Sequence, residues 1–538
     1  MTTVPSRISP IDLNVLDMPA IRAGALRDRP VTVLGLARSG VALARFLGDA
    51  GAQVTIYDGR PASELAEAIE ALGDRAMTLA LGPHVDPATT WAGAALVATS
   101  PSITPDYPTT EPRLRAALRD LVDARAAGDP LVPALVSEAD LFLRLCPAPT
   151  IGVTGTKGKT TTASLIAALL ASGPAHPVIL GGNIGSPLIE RLADLTPSHR
   201  VVDELSELQL PTLSRGTTVA VYTNVTADHL DRHGSVAAYR AVKRRLAELV
   251  DPAGALILNA DDPEVITYDD GCPAQVLRYG LVGGGNGEAT GGRLGVAHGW
   301  IVAAGIERLS VAGGGSVETG PAGRVMPVTE LAIPGAHNVS NALAAIAVAL
   351  LFGVAPDAIR TAAARFKGVE HRLELVALID GVRFVNDSQG TQPDAVAAAL
   401  RAYEAPIVLI AGGRSKGLDI GALAPLVAER AIAAVLIGES GPDLAAAFRA
   451  AGQGWTERAA DLDQAVRRAD AIAREVLAGD AARSASIETA TVLLSPAAAS
   501  FDMFADYAER GRAFKAIVAS IGAERANERG AERGREPA

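Results

Sequence analysis

Short apolar runs alternate along this chain with longer amphipathic stretches, a pattern that predicts strands alternating with helices around mostly parallel sheets. The first run, Val31-Thr-Val-Leu-Gly35, leads through a turn into a helical stretch from Val41 to Ala50 and then a second strand from Val54 to Tyr57, a βαβ start. A further apolar strand, Ala94 to Ala98, ends in Thr99-Ser100-Pro101. The proline-interrupted connector from Asp129 to Pro133 reads as a domain boundary.

A second βα unit opens with Thr150 to Val153, passes through a glycine-rich turn and continues into an Ala/Leu-rich helix after Thr160. Strand-like runs follow at Val178 to Leu180, Val219 to Tyr222 and Ala255 to Leu258, interleaved with helical stretches. The glycine-rich stretch from Val282 to Gly323 carries turn signals and is expected to form hairpins or a mobile insertion. The longest apolar run, Ala342 to Ala355, is too short to span a bilayer and reads as a buried helix. A third unit begins near Val369, with strands at Val382 to Val385, Ile407 to Ile410 and Val435 to Ile437 separated by alanine-rich helices, again a doubly wound α/β pattern. The charged segment from Ala523 to Ala538 has almost no bulky apolar groups and is expected to be disordered. The expected division is therefore residues 1–132, 133–368 and 369–522, followed by a tail.

Length agrees, since 538 residues suggest roughly three domains. The net charge of −11 argues against a general nucleic-acid or anionic-membrane binder, which needs a basic face. Cys146 and Cys272 are far apart and lack metal-ligand spacing, so neither a disulfide framework nor a zinc site is indicated and a reducing cytoplasm is the expected compartment. Residues Met1 to Pro10 carry no apolar signal core.

The candidate chemistry centres on Gly152-Val153-Thr154-Gly155-Thr156-Lys157-Gly158-Lys159-Thr160. Glycines at 155 and 158 allow backbone amides to approach phosphate oxygens, Lys159 supplies a point charge, and the Thr160 hydroxyl can ligate magnesium at a helix N-terminus. Standard spacing would place a glycine at 153; here Gly152 stands one position earlier, so the loop is a variant. Asp203-Glu204 follows the apolar pair Val201-Val202, placing a carboxylate where a phosphate-bridging metal needs one. The stretch from Thr223 to Asp231 ends another strand with a potential His/Asp ligand cluster. By contrast, Gly35-Leu-Ala37-Arg38-Ser39-Gly40 is a weak dinucleotide signal, followed by Asp58 at the end of the second strand.

As an ordered set these residues resemble the Mur ligase family, most closely its glutamate-adding MurD type, over nearly the whole chain. The resemblance rests on Gly155-Thr-Lys-Gly-Lys-Thr160, Gly182-Asn183-Ile184-Gly185, Glu204-Leu-Ser206, Asn224 to Asp231, Tyr239-Arg-Ala-Val-Lys243, His337-Asn338-Val-Ser-Asn341-Ala342, His371-Arg372, Asn386-Asp387-Ser388, Gly412 to Gly417 and Leu494-Ser495-Pro496. It implies an N-terminal Rossmann-like UDP-binding domain, a central P-loop ATPase-like domain with a parallel sheet, and a C-terminal Rossmann-like domain. The implied reaction is ATP-dependent addition of glutamate, with the D-enantiomer favoured, to UDP-N-acetylmuramoyl-L-alanine through an acyl phosphate. Its expected setting is cytoplasmic synthesis of the peptidoglycan precursor, by a monomer.

Carried over residue by residue, the resemblance implies that Gly155, Thr156, Lys157, Gly158, Lys159, Thr160 and Thr161 hold ATP. Asn338 and Asn341 would meet the nucleotide, and Arg372 and Asp387 would close over it from the third domain by a hinge motion. Glu204 and Thr160 would hold one Mg²⁺ and His229 a second. Lys243 would react with carbon dioxide to give a carbamate that helps bind the second ion. Arg38, Ser39, Asp58 and Asn183 would contact the UDP substrate, while Gln389, Thr391, Lys416, Ser495 and Phe501 would line the glutamate pocket.

Three positions depart from the family pattern. Gln389 stands where lysine is frequent, Lys157 where asparagine is, and Glu207 where serine is. The first removes a cation near the amino-acid carboxylates, which leaves an L-glutamate-adding variant open. A catalytically altered nucleotide-binding homologue is a second alternative and a dinucleotide-dependent oxidoreductase a third.

Overall fold

The computed structural model describes residues 9–228, 230–281, 292–333, 335–414, 420–481 and 488–533. The chain divides into two compact units, Met1–Phe366 and Lys367–Ala538, and the first carries two sheets. In the first sheet five parallel strands lie in the spatial order Thr78–Leu81, Gln53–Asp58, Pro30–Leu34, Leu96–Thr99, Ala134–Ser137. The expected boundary at Asp129 to Pro133 is corrected here: Ala134–Ser137 pairs in register with Leu96–Thr99, so the connector is a turn within this sheet. Its apolar alternation is too short to reveal from sequence which sheet it joins.

The second sheet has nine strands in the order Arg324–Pro327, Trp300–Ala304, Gly292–Ala297, Gln275–Gly280, Ala255–Asn259, Val219–Tyr222, Thr150–Thr154, Arg200–Glu204, Val178–Gly182. All pairings from Val178–Gly182 through Gly292–Ala297 are parallel, and Trp300–Ala304 turns back antiparallel as a hairpin. That hairpin lies in the glycine-rich stretch where turns were expected; residues 282–291 of the same stretch fall outside the described residues. Neighbouring residues of one strand face opposite ways. Val201, Ala220, Leu256 and Leu258 enter a core shared with the first sheet, while Val202, Val219, Val221, Ala255 and Ile257 enter the opposite one. The helix Lys159–Ala171 and the helix Ala336–Leu351 pack together on that second side. The latter is buried continuously from Asn341 to Leu351, which explains its unbroken apolar run.

The second unit has six strands in the order Glu374–Ile379, Val382–Asn386, Ala490–Leu494, Ile407–Gly412, Ala433–Ile437, Thr456–Arg458, parallel except for the antiparallel edge strand Glu374–Ile379. The expectation of a disordered tail from Ala523 is corrected: a helix runs over Tyr507–Arg533. It is anchored by Phe514, Val518 and Ile521 in the sheet's core and by Arg525, whose guanidinium pairs with the buried Asp470. Composition alone misses this because the charged end continues a helix begun by apolar residues upstream.

Leu343 is fully buried in the helix Ala336–Leu351. Leu343→Ala is expected to destabilise the first unit by about 2–5 kcal/mol, read from the shift of its denaturant-unfolding transition.

Candidate active site

The glycine-rich turn leaves the carboxyl end of Thr150–Thr154, which lies between Arg200–Glu204 and Val219–Tyr222, and enters the helix Lys159–Ala171. Loops from adjacent strands therefore converge where a parallel sheet binds ligands. Gly155 takes φ 145° and Gly158 φ 87°, conformations that L side chains rarely adopt. A Cβ on Gly155 would stand 2.0 Å from Thr223 Oγ1, and one on Gly158 would stand 2.6 Å from Asn341 Oδ1. Side chains at these points would fill the cradle from two sides.

The cradle is fixed from behind. Asn224 Oδ1 accepts from the Lys157 amide at 2.9 Å while its Nδ2 donates to Lys157 O at 2.9 Å. Thr223 Oγ1 donates to Lys157 O at 2.6 Å, and the Thr156 amide donates to Asn224 O at 2.7 Å. Lys159 Nζ donates to Gly155 O and Thr156 O at 3.1 and 3.0 Å, and Thr160 is buried at the start of the helix. Thr161 is half-buried in the same turn. Asn341 accepts from Thr162 Oγ1 at 3.3 Å and donates to Asn338 Oδ1 at 3.3 Å, so both asparagines stand on the helix start that faces the loop.

Glu204 ends its strand 1 % exposed. Its Oε1 accepts from Asn183 Nδ2 at 2.8 Å, whereas Oε2 is buried and has no hydrogen-bond partner. An anion sealed in this way with an orphaned oxygen calls for a cation, because an uncompensated buried carboxylate is costly. Glu204 and Thr160, a carboxylate and a hydroxyl, are the oxygen donors that a magnesium ion prefers, so the residues present fit that ion. Among the described residues no group of three or more His, Cys, Asp or Glu forms a ready metal cluster. His229 lies outside the described residues.

Lys243 is completely buried, which sets it apart from its neighbours Arg244 and Arg245 on the helix Val236–Leu249. Its Nζ donates to Gly155 O at 3.1 Å and to Thr154 Oγ1 at 3.3 Å, so it reaches the floor of the phosphate loop. Burial, aided by the nearby Lys159 cation and opposed by Glu207, Asp228 and Glu204, pushes its pKa down to about 7. A large share of the amine is therefore neutral near physiological pH.

Arg38 donates to Gly185 O at 2.8 Å, tying the first sheet to the loop that carries Asn183, and Ser39 follows it in the same helix start. Asp58 is held low in pKa: Arg60 and the Leu36 amide, with the Arg60 amide, outweigh the effect of burial. It therefore shapes the Gly35 turn from within. In the second unit Asp387 Oδ2 accepts from Ser495 Oγ at 2.6 Å and Oδ1 from the Leu373 amide at 3.2 Å, while burial raises its pKa to about 6. Arg372 acts on the same carboxylate through space. Gln389 Nε2 lies 3.5 Å from Tyr507 Oη, Thr391 is half-buried beside it, and Phe501 is 59 % exposed. Lys416 lies outside the described residues.

Several contributors were not singled out from sequence. Asn224 and Tyr239 stand in stretches already noted but had been given no role; Tyr239 Oη meets Thr156 Oγ1 at 3.0 Å. Glu207 pairs with Arg232 at 2.6 Å, and its carbonyl accepts from Tyr107 Oη at 2.9 Å. Its acidic character, unusual at that position, thus has a local partner. Nothing in the sequence around Tyr107 points to this contact, which spans two sheets.

A phosphate cradle at the carboxyl edge of a parallel sheet, with a sealed carboxylate on the next strand, defines a nucleotide-binding α/β enzyme. Family models agree: residues 153–349 match the Mur ligase middle domain and residues 371–483 the Mur ligase glutamate ligase domain. A UDP-N-acetylmuramoylalanine–D-glutamate ligase of Pelotomaculum thermopropionicum is 38% identical over 92% of this chain and 98% of its own. The enzyme of the same name from Symbiobacterium thermophilum is 37% identical over 93% and 100%. Among solved structures, a pseudomurein peptide ligase type C from Methanothermus fervidus covers 92% of the chain at 19% identity with a TM-score of 0.44. The chain belongs to the Mur ligase family, and is an ATP-dependent ligase; the family uses ATP and Mg²⁺. Among the described residues no helix is long and apolar enough to cross a membrane.

Gly155→Ala is expected to weaken binding of a fluorescent ATP analogue about tenfold or more, since strain at such a position costs on the order of 1–3 kcal/mol. Titration of the variant beside the wild-type protein reads this directly.

Proposed function

We propose that the protein adds D-glutamate to the L-alanyl carboxylate of UDP-N-acetylmuramoyl-L-alanine, consuming ATP, in the synthesis of the peptidoglycan precursor. The observation that carries this reading is near-full-length similarity to ligases of that name, together with the cradle, Glu204 and Lys243 assembled in one place. The expected setting is the cytoplasm, and the working unit a monomer.

A carboxylate resists attack by an amine because oxide is a poor leaving group. The γ-phosphoryl group of ATP is therefore transferred to the alanyl carboxylate, the glutamate amine attacks the acyl phosphate, and phosphate leaves as the amide forms. The loop from Gly155 to Thr161 holds the nucleotide's phosphates, and Lys159 offsets their charge. Asn338 and Asn341 meet the nucleotide; Arg372 and Asp387 are further proposed ATP-binding residues. Thr160 and Glu204 would hold one Mg²⁺, and His229 with Lys243 a second; bound there, the ions would offset the charge that develops on the transferring group. Asn183, hydrogen-bonded to Glu204, links the UDP-substrate side, with Arg38, Ser39 and Asp58, to the phosphate side. Gln389, Thr391, Lys416, Ser495 and Phe501 serve the incoming amino acid.

Lys243 acts as a carbamate in this scheme. Its neutral amine forms an N–C bond with carbon dioxide and releases a proton, leaving an anion that would help to hold the second ion. The amine depressed to about 7 makes the first step accessible at neutral pH.

Phosphate release with UDP-N-acetylmuramoyl-L-alanine should be brisk with D-glutamate and weak with L-glutamate. The reverse preference would convert the reading to an L-glutamate-adding enzyme, and silence with both would remove it. Lys243→Ala is expected to lose about a hundredfold in kcat, with partial recovery on adding acetate or formate; full activity without rescue would refute the carbamate. For enzyme stripped of carbon dioxide, reactivation by bicarbonate should grow as pH rises through about 7, because the neutral amine is the reactive form.

A further inference from the structure

One cation in the second unit has no part in the chemistry described so far. Arg510, in the first turns of the helix Tyr507–Arg533, is 1 % exposed, and its hydrogen bonds go to one hydroxyl and two carbonyls. Its Nε donates to Ser388 Oγ at 3.0 Å and Nη2 to Ser388 O at 2.9 Å; Nη1 and Nη2 reach Ala498 O at 3.4 and 3.3 Å. Asp502 acts on it through space.

Those partners lie on loops that leave adjacent parallel strands. Ser388 follows Val382–Asn386, and Ala498 follows Ala490–Leu494. A third loop closes the set: a Cβ on Gly413, just after Ile407–Gly412, would stand 3.2 Å from Arg510 Nη1 and 2.1 Å from Ala499 O. The Arg414 amide donates to Ala499 O at 2.9 Å, so the second and third loops are also bonded to each other. One guanidinium thus joins loops from the carboxyl ends of three strands, two of which lead through the segments that carry Gln389, Thr391, Ser495 and Phe501. Its donors are met by a hydroxyl and two carbonyls and Asp502 offsets its charge only through space, so a positive field remains beside these loops.

We propose that Arg510 is a positioning and specificity-determining residue for the incoming amino acid, whose carboxylates it attracts while locking the Ser388 and Ala498 loops in one geometry. This inference rests on the proposed function. The planar fork matters as well as the charge, since lysine would supply one donor direction where arginine bonds both loops at once.

The test is steady-state kinetics of the full chain in wild-type form and as Arg510→Lys, Arg510→Met and Ser388→Ala, each first checked for an unchanged melting profile of the second unit. The KM for glutamate should rise about tenfold in R510K and S388A and on the order of a hundredfold in R510M, with the KM values for ATP and the UDP substrate held within about twofold. Acyl-phosphate formation without glutamate, followed as ADP released in one turnover, should be unchanged in R510K. A glutamate KM unmoved in both R510K and S388A, or equal rises in all three KM values, would overturn the assignment even if R510M fails to fold. Absence of turnover with either glutamate enantiomer in the wild-type protein would instead refute the proposed function, and this inference with it.

Discussion

The approach of the turn at Gly155 to the tip of the neighbouring strand is the constraint on which the rest of the site depends. With Thr223 Oγ1 only 2.0 Å from where a Cβ would lie, the turn can exist only as glycine in a left-handed conformation. That closeness lets Thr223 and Asn224 hold the Lys157 carbonyl, and Asn224 the Thr156 and Lys157 amides, from behind. It also brings the floor of the loop within reach of Lys243 from a different helix. Parallel pairing of Thr150–Thr154 with both neighbours makes all of this possible, because every adjacent strand then ends on the same side.

Buried charge is the second organising theme. Glu204, Lys243, Asp387 and Arg510 are each almost wholly removed from water. Burial moves the titration of Lys243 down to about 7 and that of Asp387 up to about 6, so neither is locked in one state near neutral pH. Sealing such groups costs stability unless partners compensate, and here compensation is partial: Glu204 retains an orphaned oxygen. Sites that bind polyphosphate and metal tolerate this imbalance because the ligands complete it.

Much of the fold was legible in the chain. Strands at Val31, Thr150, Val219, Ala255, Val382 and Ile407 declare themselves as apolar runs, and the buried helix Ala336–Leu351 by its unbroken aliphatic sequence. What escaped was set by long-range pairing. The strand Ala134–Ser137 joins the first sheet through Leu96–Thr99, a partner that no local pattern names. The helix over Tyr507–Arg533 persists through a charged end because Arg525 finds Asp470 far back in the chain. Within the site, the loop at Gly155 and Lys159 and the strand end at Glu204 stood out by local pattern, while Asn341 was named only through the family resemblance. Arg510 and Tyr107 were not singled out, because a lone arginine or tyrosine acquires meaning only from the loops it touches.

The core shared by the first two sheets changes how distance should be understood in this molecule. Val33 and Ile56 of the first sheet and Val201 and Leu258 of the second belong to one continuous apolar mass. Thermodynamically the two are one cooperative block, so loosening a strand at the far edge of the first sheet draws on the same free energy that keeps the phosphate loop taut. The two sheets are therefore joined by cohesion as well as by hydrogen bonds such as that from Arg38 to Gly185.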